Sequence, residues 1–147
     1  MAPTVNRILV PTDFSETAEH GVQYALELAK ALGAKVSLLY VYAIDTPESG
    51  GQAEEILRES EQDARNKLEK AAAKYREHAA LLSTLLANGD PSDAIVNTAG
   101  KIGADLIVIG THGRTGVRRM LLGSVAETVL RAAPCPVLAI RLPLAPR

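Results

Sequence analysis

The sequence predicts an α/β protein: a single domain with one doubly wound, five-stranded parallel sheet and helices on both of its faces. Two observations lead there. Five short apolar runs alternate along the chain with four stretches of helical character, and strands that alternate with helices pair in parallel through right-handed crossovers. The length of 147 residues is enough for one domain and small for two. The whole chain, 1–147, therefore reads as one domain, with a frayed tail over 142–147 where Pro143 and Pro146 stand.

Taken in order, Arg7-Ile8-Leu9-Val10-Pro11 is a short buried strand, stopped by its proline. After the loop Thr12-Asp13-Phe14-Ser15, Ser15 is an N-cap and Glu16 favours the helix dipole. Ala18, Val22, Ala25, Ala29 and Leu32 recur at helical spacing, Leu28 widens the stripe, and Gly33 ends the helix. Val36 to about Tyr42 is a central strand, rich in β-branched and aromatic residues. Pro47, Ser49, Gly50 and Gly51 mark a loop. A charged helix from Gln52 to about Ala79 follows, packing through Ile56, Ala64, Leu68, Ala71, Tyr75 and Ala79. Leu81 to Ala87 is the third strand and Asn88-Gly89 its turn. Asp90-Pro91-Ser92-Asp93 starts a helix with a cap, a proline at its first position and an acid at its third. That helix buries Ile95, Thr98, Ala99 and Ile102 and stops at Gly103. Asp105 to Ile109 is the fourth strand, Ser124 to Ala133 the last helix, and Val137 to Arg141 the fifth strand after Pro134-Cys135-Pro136.

Composition narrows the function. Apolar residues make up 47% and the formal net charge is −1, so there is a sizeable core and no electrostatic case for nucleic acid or an anionic membrane. Four Tyr, one Phe and no Trp argue against base-stacking platforms. No apolar run approaches the ~20 residues of a membrane span, and the first residues lack a signal core. Cys135 is the only cysteine, which excludes an internal disulfide and fits a cytoplasmic setting. His20, His78 and His112 are too scattered for a zinc site.

The stretch Ile107 to Ser124 carries the chemistry. It runs from an apolar strand into a loop with Gly110, Gly113 and Gly116, then past Arg114, Arg118 and Arg119 to Gly123-Ser124 at a helix start. Glycines between a strand and a helix allow positive φ and close approach to a ligand. A helix start offers unpaired N–H groups and partial positive charge. Strand, glycine loop and helix in that order suit a phosphate. Each residue also has a plainer reading. Ser124 with Glu127 forms a capping box, Gly110 is a strand-ending turn, Asp13 caps the first helix, and His112 is an ordinary loop residue. In doubly wound sheets ligands bind beyond the carboxyl ends of the strands where strand order reverses. If the first and fourth strands are neighbours, Asp13 and the glycine loop face one crevice.

These residues resemble the universal stress protein family over essentially the whole chain. Pro11-Thr12-Asp13-Phe14-Ser15-Glu16-Thr17-Ala18 is similar to that family's first strand-to-helix loop. Gly110, Gly113 and Gly123-Ser124 match its ATP-binding signature, G-x2-G-x9-G-[ST]. The resemblance implies strand order 3-2-1-4-5, as in adenine nucleotide alpha hydrolase-like folds. It implies a bound adenine nucleotide: ATP, with ADP, AMP and cyclic AMP as alternatives, and Mg²⁺ or Mn²⁺ on the phosphates. Asp13, flanked by Pro11 and Thr12, would lie by the ribose or the phosphate-bound cation. Val41 would meet the adenine edge through its backbone. Gly110, Gly113, Gly123, Ser124 and Val125 would line the phosphates, with Thr111, His112 and Arg114 in the same loop.

The function expected is an ATP-binding regulatory module in a stress response, with no catalytic residue named. The alternatives are a slow ATPase or other nucleotide-dependent enzyme, and an interaction protein with an empty crevice. The G-x4-G-K-[ST] loop and the G-x-G-x-x-G fingerprint are both absent. Strand order 3-2-1-4-5 would leave Val137-Leu138-Ala139-Ile140 at a sheet edge, apolar at every position and without a central proline. That strand is expected to pair with its copy in a homodimer.

Overall fold

The computed structural model describes residues 4–43, 60–78, 80–112 and 122–142. The elements are β1 (Arg7–Thr12), α1 (Glu16–Leu32), β2 (Lys35–Tyr42), α2 (Glu61–Ala73), a 3₁₀ turn (Arg76–His78), β3 (Leu82–Asn88), α3 (Pro91–Ile102), β4 (Leu106–Gly110), α4 (Ser124–Ala132) and β5 (Val137–Ile140). The strands form one sheet, all parallel, in the order β3-β2-β1-β4-β5. Alternation along each strand divides the core between two faces. Ile8, Val10, Val36, Leu38 and Val108 meet Val22, Leu26 and Ala29 of α1 and Leu68 of α2. Leu9, Leu39, Ile107 and Ile109 meet Ile95 and Ala99 of α3 and Ala126 and Val129 of α4.

Helix ends follow local chemistry. Ser15, Ser60 and Asp90 cap α1, α2 and α3 by accepting the N–H of Ala18, Asp63 and Asp93. Gly33 and Gly103 end α1 and α3 with φ of 71° and 65°, the left-handed region in which a Cβ is penalised.

Three expectations change. Pro11 does not stop the first strand, because β1 runs on to Thr12 and pairs with β2 throughout. The β1–β4 ladder has already ended at Leu9↔Ile107, so the N–H that proline lacks falls beyond it. The charged helix ends at Ala73, not Ala79. There Lys74 and Tyr75 donate to the carbonyls three residues back, Ala71 and Ala72, and this tightening turns the chain toward β3. Ala64 and Leu68 are buried as expected, whereas Ile56 and Ala79 lie outside the described residues. On α1, Leu32 is 51% exposed and Leu26 is buried in its place. The buried arc is centred on Val22, Leu26 and Ala29, which the α1–sheet crossing selects.

The crossing itself is set by small residues. Thr17 is buried, and a Cβ on Gly110 would lie 2.8 Å from its Cγ2 and 3.3 Å from its carbonyl carbon. Gly21, in the interior of α1, stands opposite: a Cβ there would lie 3.9 Å from the N of Gly110. The helix backbone thus rests almost directly on the end of β4. At the other end of the sheet, Asp105 ties β4 to β1. Its Oδ2 accepts the N–H of Asn6 at 2.8 Å and of Arg7 at 2.9 Å. Those two donors, that of Asn6 first, hold its carboxyl below the usual carboxylate range, with the Arg7 guanidinium helping.

Two outcomes follow from these contacts. Gly110→Ala is expected to cost about 1–3 kcal/mol in urea unfolding, as overpacking does. Thr17→Ser, which removes the clashing methyl, should recover part of that loss in the double variant. Asp105 has a lowered pKa in the fold, so its contribution is present above the unfolded value near 4 and is lost as pH falls through the folded one. Asp105→Asn should therefore lower the melting temperature at pH 7 and flatten its decline with acid. Parallel wild-type and variant pH curves would contradict this.

Candidate functional site

The site lies where β1 and β4 part. β1 keeps its pairing with β2 up to Thr12↔Tyr40, while its pairing with β4 ends at Leu9↔Ile107. This is the point at which strand order reverses, and the two loops leave it on opposite sides: β1 leads into α1 on one face of the sheet, β4 toward α4 on the other. Counting on from Leu9↔Ile107, Thr12 comes level with Gly110 and Asp13 with Thr111. The structure thus brings Pro11, Thr12 and Asp13 to one rim and Gly110, Thr111 and His112 to the other.

The first rim is held by its own side chains. Thr12 Oγ1 accepts the N–H of Phe14, and Asp13 Oδ1 that of Ser15, both at 3.0 Å. Phe14 has φ 66°, the one positive φ outside glycine among the described residues. For a bulky aromatic residue this conformation is costly. Its ring lies 4.5 Å from that of Tyr40 at 52°, a tilted pair that offsets part of the cost. Ser15, not Asp13, is the helix cap, and Asp13 braces the turn before it.

The second rim is built from backbone. Thr111 is 2% exposed; its N–H donates to Ile140 of β5 at 2.9 Å, and its carbonyl accepts the N–H of Gly123. A Cβ on Gly123 would lie 2.8 Å from that carbonyl and 3.6 Å from the Cα of His112. The start of α4 is thereby clamped onto the end of β4. Both glycines are required by chain packing, and neither has the positive φ that the sequence suggested: Gly123 sits at φ −74°. Gly113 and Arg114, like Gly116, Arg118 and Arg119, lie outside the described residues.

Ser124 is corrected from a cap to the first residue of α4. Gly123 holds the cap position, and among the described residues no side chain caps the helix. The partner expected in a capping box, Glu127, instead pairs with Arg131 at 2.7 Å. Ser124 is exposed, Val125 is half-buried against the α3–α4 face of the core, and among the described residues no side chain accepts at the start of α4. The missing β-hydroxyl cap is a consequence of the close fit at Gly123, where a side chain has no room.

Val41 stands at the far end of the same opening. Along β2, Lys35 N–H donates to Asn6 on the β1 side and Val36 N–H to Leu81 on the β3 side. Continuing this alternation turns the backbone groups of Val41 toward β1, one residue past its last pair with β2. Its side chain packs against the α3–α4 face of the core, as do those of Leu85 and Ala87.

Phe14 and Thr17, named in the sequence only as part of the first loop, and Gly21, not named there, shape both rims. Gly21 carried a signal, since a glycine inside a helix is destabilising unless another backbone comes close. Cys135 is half-buried, and burial, aided by Asp105, pushes its thiol up, away from reactivity. Among the described residues no group of three or more His, Cys, Asp or Glu could hold a metal ion, and no helix is long and apolar enough to cross a membrane.

Comparison with known proteins agrees with this architecture. A universal stress protein of Methanocaldococcus jannaschii is 40% identical over 144 residues, covering 93% of this chain and 82% of the relative. The universal stress protein UspA of Lactobacillus plantarum superimposes with a TM-score of 0.77 at 28% identity, over 95% of this chain and 100% of that one. A universal stress protein in complex with cAMP gives 0.69 at 26% identity, over 92% and 97%. One from Archaeoglobus fulgidus in complex with dAMP gives 0.63 at 26%, over 95% and 99%. The model of the universal stress protein family matches residues 4–141, and the chain belongs to that family.

Proposed function

We propose that this chain binds an adenine nucleotide, ATP foremost, in the crevice between the ends of β1 and β4, and acts as a nucleotide-dependent module in the stress response. The observation that carries this reading is the start of α4: a helix of nine residues that no side chain caps among the described residues, beside the place where strand order reverses. The N–H groups of a helix start and the helix dipole attract phosphate oxygens. The solved relatives with cAMP and dAMP support an adenine nucleotide.

In this reading the phosphates lie along Gly110, Thr111, His112, Gly123, Ser124 and Val125, with Gly113 and Arg114 of the same loop. The ribose or a phosphate-bound Mg²⁺ or Mn²⁺ lies by Asp13, next to Pro11 and Thr12. The adenine edge meets the backbone of Val41. A single carboxylate suffices for the cation, because Mg²⁺ is commonly held by one or two carboxylates together with ligand phosphates. The protein acts in the cytoplasm as a homodimer whose two β5 strands pair. Val137–Ile140 is an edge strand, half-buried at each position, and its outer N–H and C=O groups suit a second copy.

Calorimetry tests the nucleotide. Because Ser124 is not a cap, Ser124→Ala should cost well under the ~1 kcal/mol of a lost N-cap. It should weaken ATP more than adenosine. Equal affinity for ATP and adenosine in the wild type would overturn the phosphate assignment. Light scattering tests the assembly: the wild type should have a dimer mass at micromolar concentration, and Leu138→Pro, which deletes an N–H in mid-strand, should release monomers. A monomeric wild type would remove the β5 interface.

A further inference from the structure

His112 has one ring nitrogen engaged and one without a partner. Its Nδ1 lies 3.0 Å from the hydroxyl oxygen of Thr111. Its Nε2 is fully buried and has no hydrogen-bond partner among the described residues. A buried polar atom left unsatisfied costs on the order of 1–3 kcal/mol, so the position calls for a ligand or an equivalent group.

The bonding of Thr111 decides which kind. A threonine hydroxyl carries one proton to donate. Thr111 is buried, and the Nδ1 of His112 is the acceptor found for its hydroxyl. If the hydroxyl donates there, the ring proton must sit on Nε2, because a neutral imidazole has one donor and one acceptor nitrogen. The opposite tautomer would leave the threonine proton without that acceptor. With the hydroxyl as donor, the unpartnered Nε2 carries the ring proton, and its complement is an oxygen that accepts.

The surroundings specify the oxygen further. The Cα of His112 lies 3.6 Å from where a Cβ of Gly123 would stand, so the residue abuts the start of α4. A buried imidazole N–H without an acceptor, on a residue whose backbone adjoins the start of α4, fits an oxyanion better than a neutral carbonyl or hydroxyl. We propose that the Thr111–His112 pair is a tautomer-setting device: Thr111 fixes the ring so that Nε2–H of His112 donates to a phosphate oxygen of the nucleotide. The pair makes the site select phosphorylated adenosine over adenosine. This deepens the nucleotide reading and rests on it.

The experiment uses the full chain with AMP and adenosine as probes. Wild type should bind AMP more tightly than adenosine. His112→Asn, whose amide reaches only the Nδ1 position, should lose about tenfold or more for AMP, as expected for a hydrogen bond to a charged group, and leave adenosine unchanged. His112→Gln, whose amide nitrogen reaches the Nε2 position, should retain most of the AMP affinity. Thr111→Val should weaken AMP in the same direction by freeing the tautomer. In ¹⁵N-labelled wild type, the free protein should show Nε2 protonated, and AMP should shift that signal more than adenosine does. This measurement holds even where a variant fails to fold. If wild type prefers AMP and His112→Asn keeps that preference, or if the free ring carries its proton on Nδ1, the role of His112 is overturned while the nucleotide reading stands. If wild type binds neither AMP nor ATP, both fall.

Discussion

The close approach of α1 to the end of β4 is the constraint on which the rest of this structure depends. Thr17 leaves room for the backbone of Gly110 and nothing larger, and Gly21 lies in contact range of the same backbone. With α1 fixed there, the helix lies across β1 and β4, the strands between which the order reverses. Because β1 and β4 are parallel, the loop entering α1 and the loop leaving β4 lie at the same end of the sheet, and α1 sets how closely they approach. The crevice is thus a by-product of helix–strand packing. The glycine that a ligand-centred reading assigns to phosphate has a structural duty that would hold with no ligand bound.

Both rims are organised before any ligand arrives, by different means. On the β1 side, short side chains turn back on the backbone: Thr12 takes Phe14, Asp13 takes Ser15, Ser15 takes Ala18. This succession holds Phe14 in a left-handed conformation that its side chain resists, and the contact with Tyr40 helps to keep it there. On the β4 side, the buried backbone of Thr111 joins three elements, since it donates to β5 and accepts from the residue that starts α4. Pre-set geometry of this sort reduces the ordering that binding must impose. It also places the candidate phosphate site one hydrogen bond away from the edge strand through which the chain is proposed to dimerise.

Much of the fold was legible in the sequence, because local chemistry and global topology agree. Alternating apolar runs and helical stripes specify a parallel sheet, and Ser15, Gly33, Asp90 and Gly103 stop and start helices where they were expected to. Of the residues that the family resemblance singled out, Pro11 to Asp13 and Gly110 to His112 stand at the ends of two strands that the fold makes neighbours. Where reading failed, the deciding term was a contact between residues far apart in the chain. Pro11 is tolerated inside β1 only because β4 has already diverged, and no local rule shows where a neighbouring strand stops. Leu26 replaces Leu32 in the core because the crossing angle of α1 chooses the buried arc, and periodicity alone leaves that arc free to rotate.

The same division holds at the site. The sequence by itself determined that a glycine-rich turn lies between a strand and a helix, and that Asp13 follows the first strand. Only the tertiary structure decided what each group does. Ser124 reads as a cap because serine followed by glutamate three residues on is favourable locally. Packing of Gly123 against the Thr111 carbonyl moves the cap back by one residue, to a glycine with no side chain to cap the helix. Gly110 reads as a turn residue, yet its φ is ordinary and its small size is demanded by Thr17. The physical reason is common to both. A missing Cβ can serve either conformational freedom or close approach, and a sequence records the missing atom without recording what stands in the space it leaves.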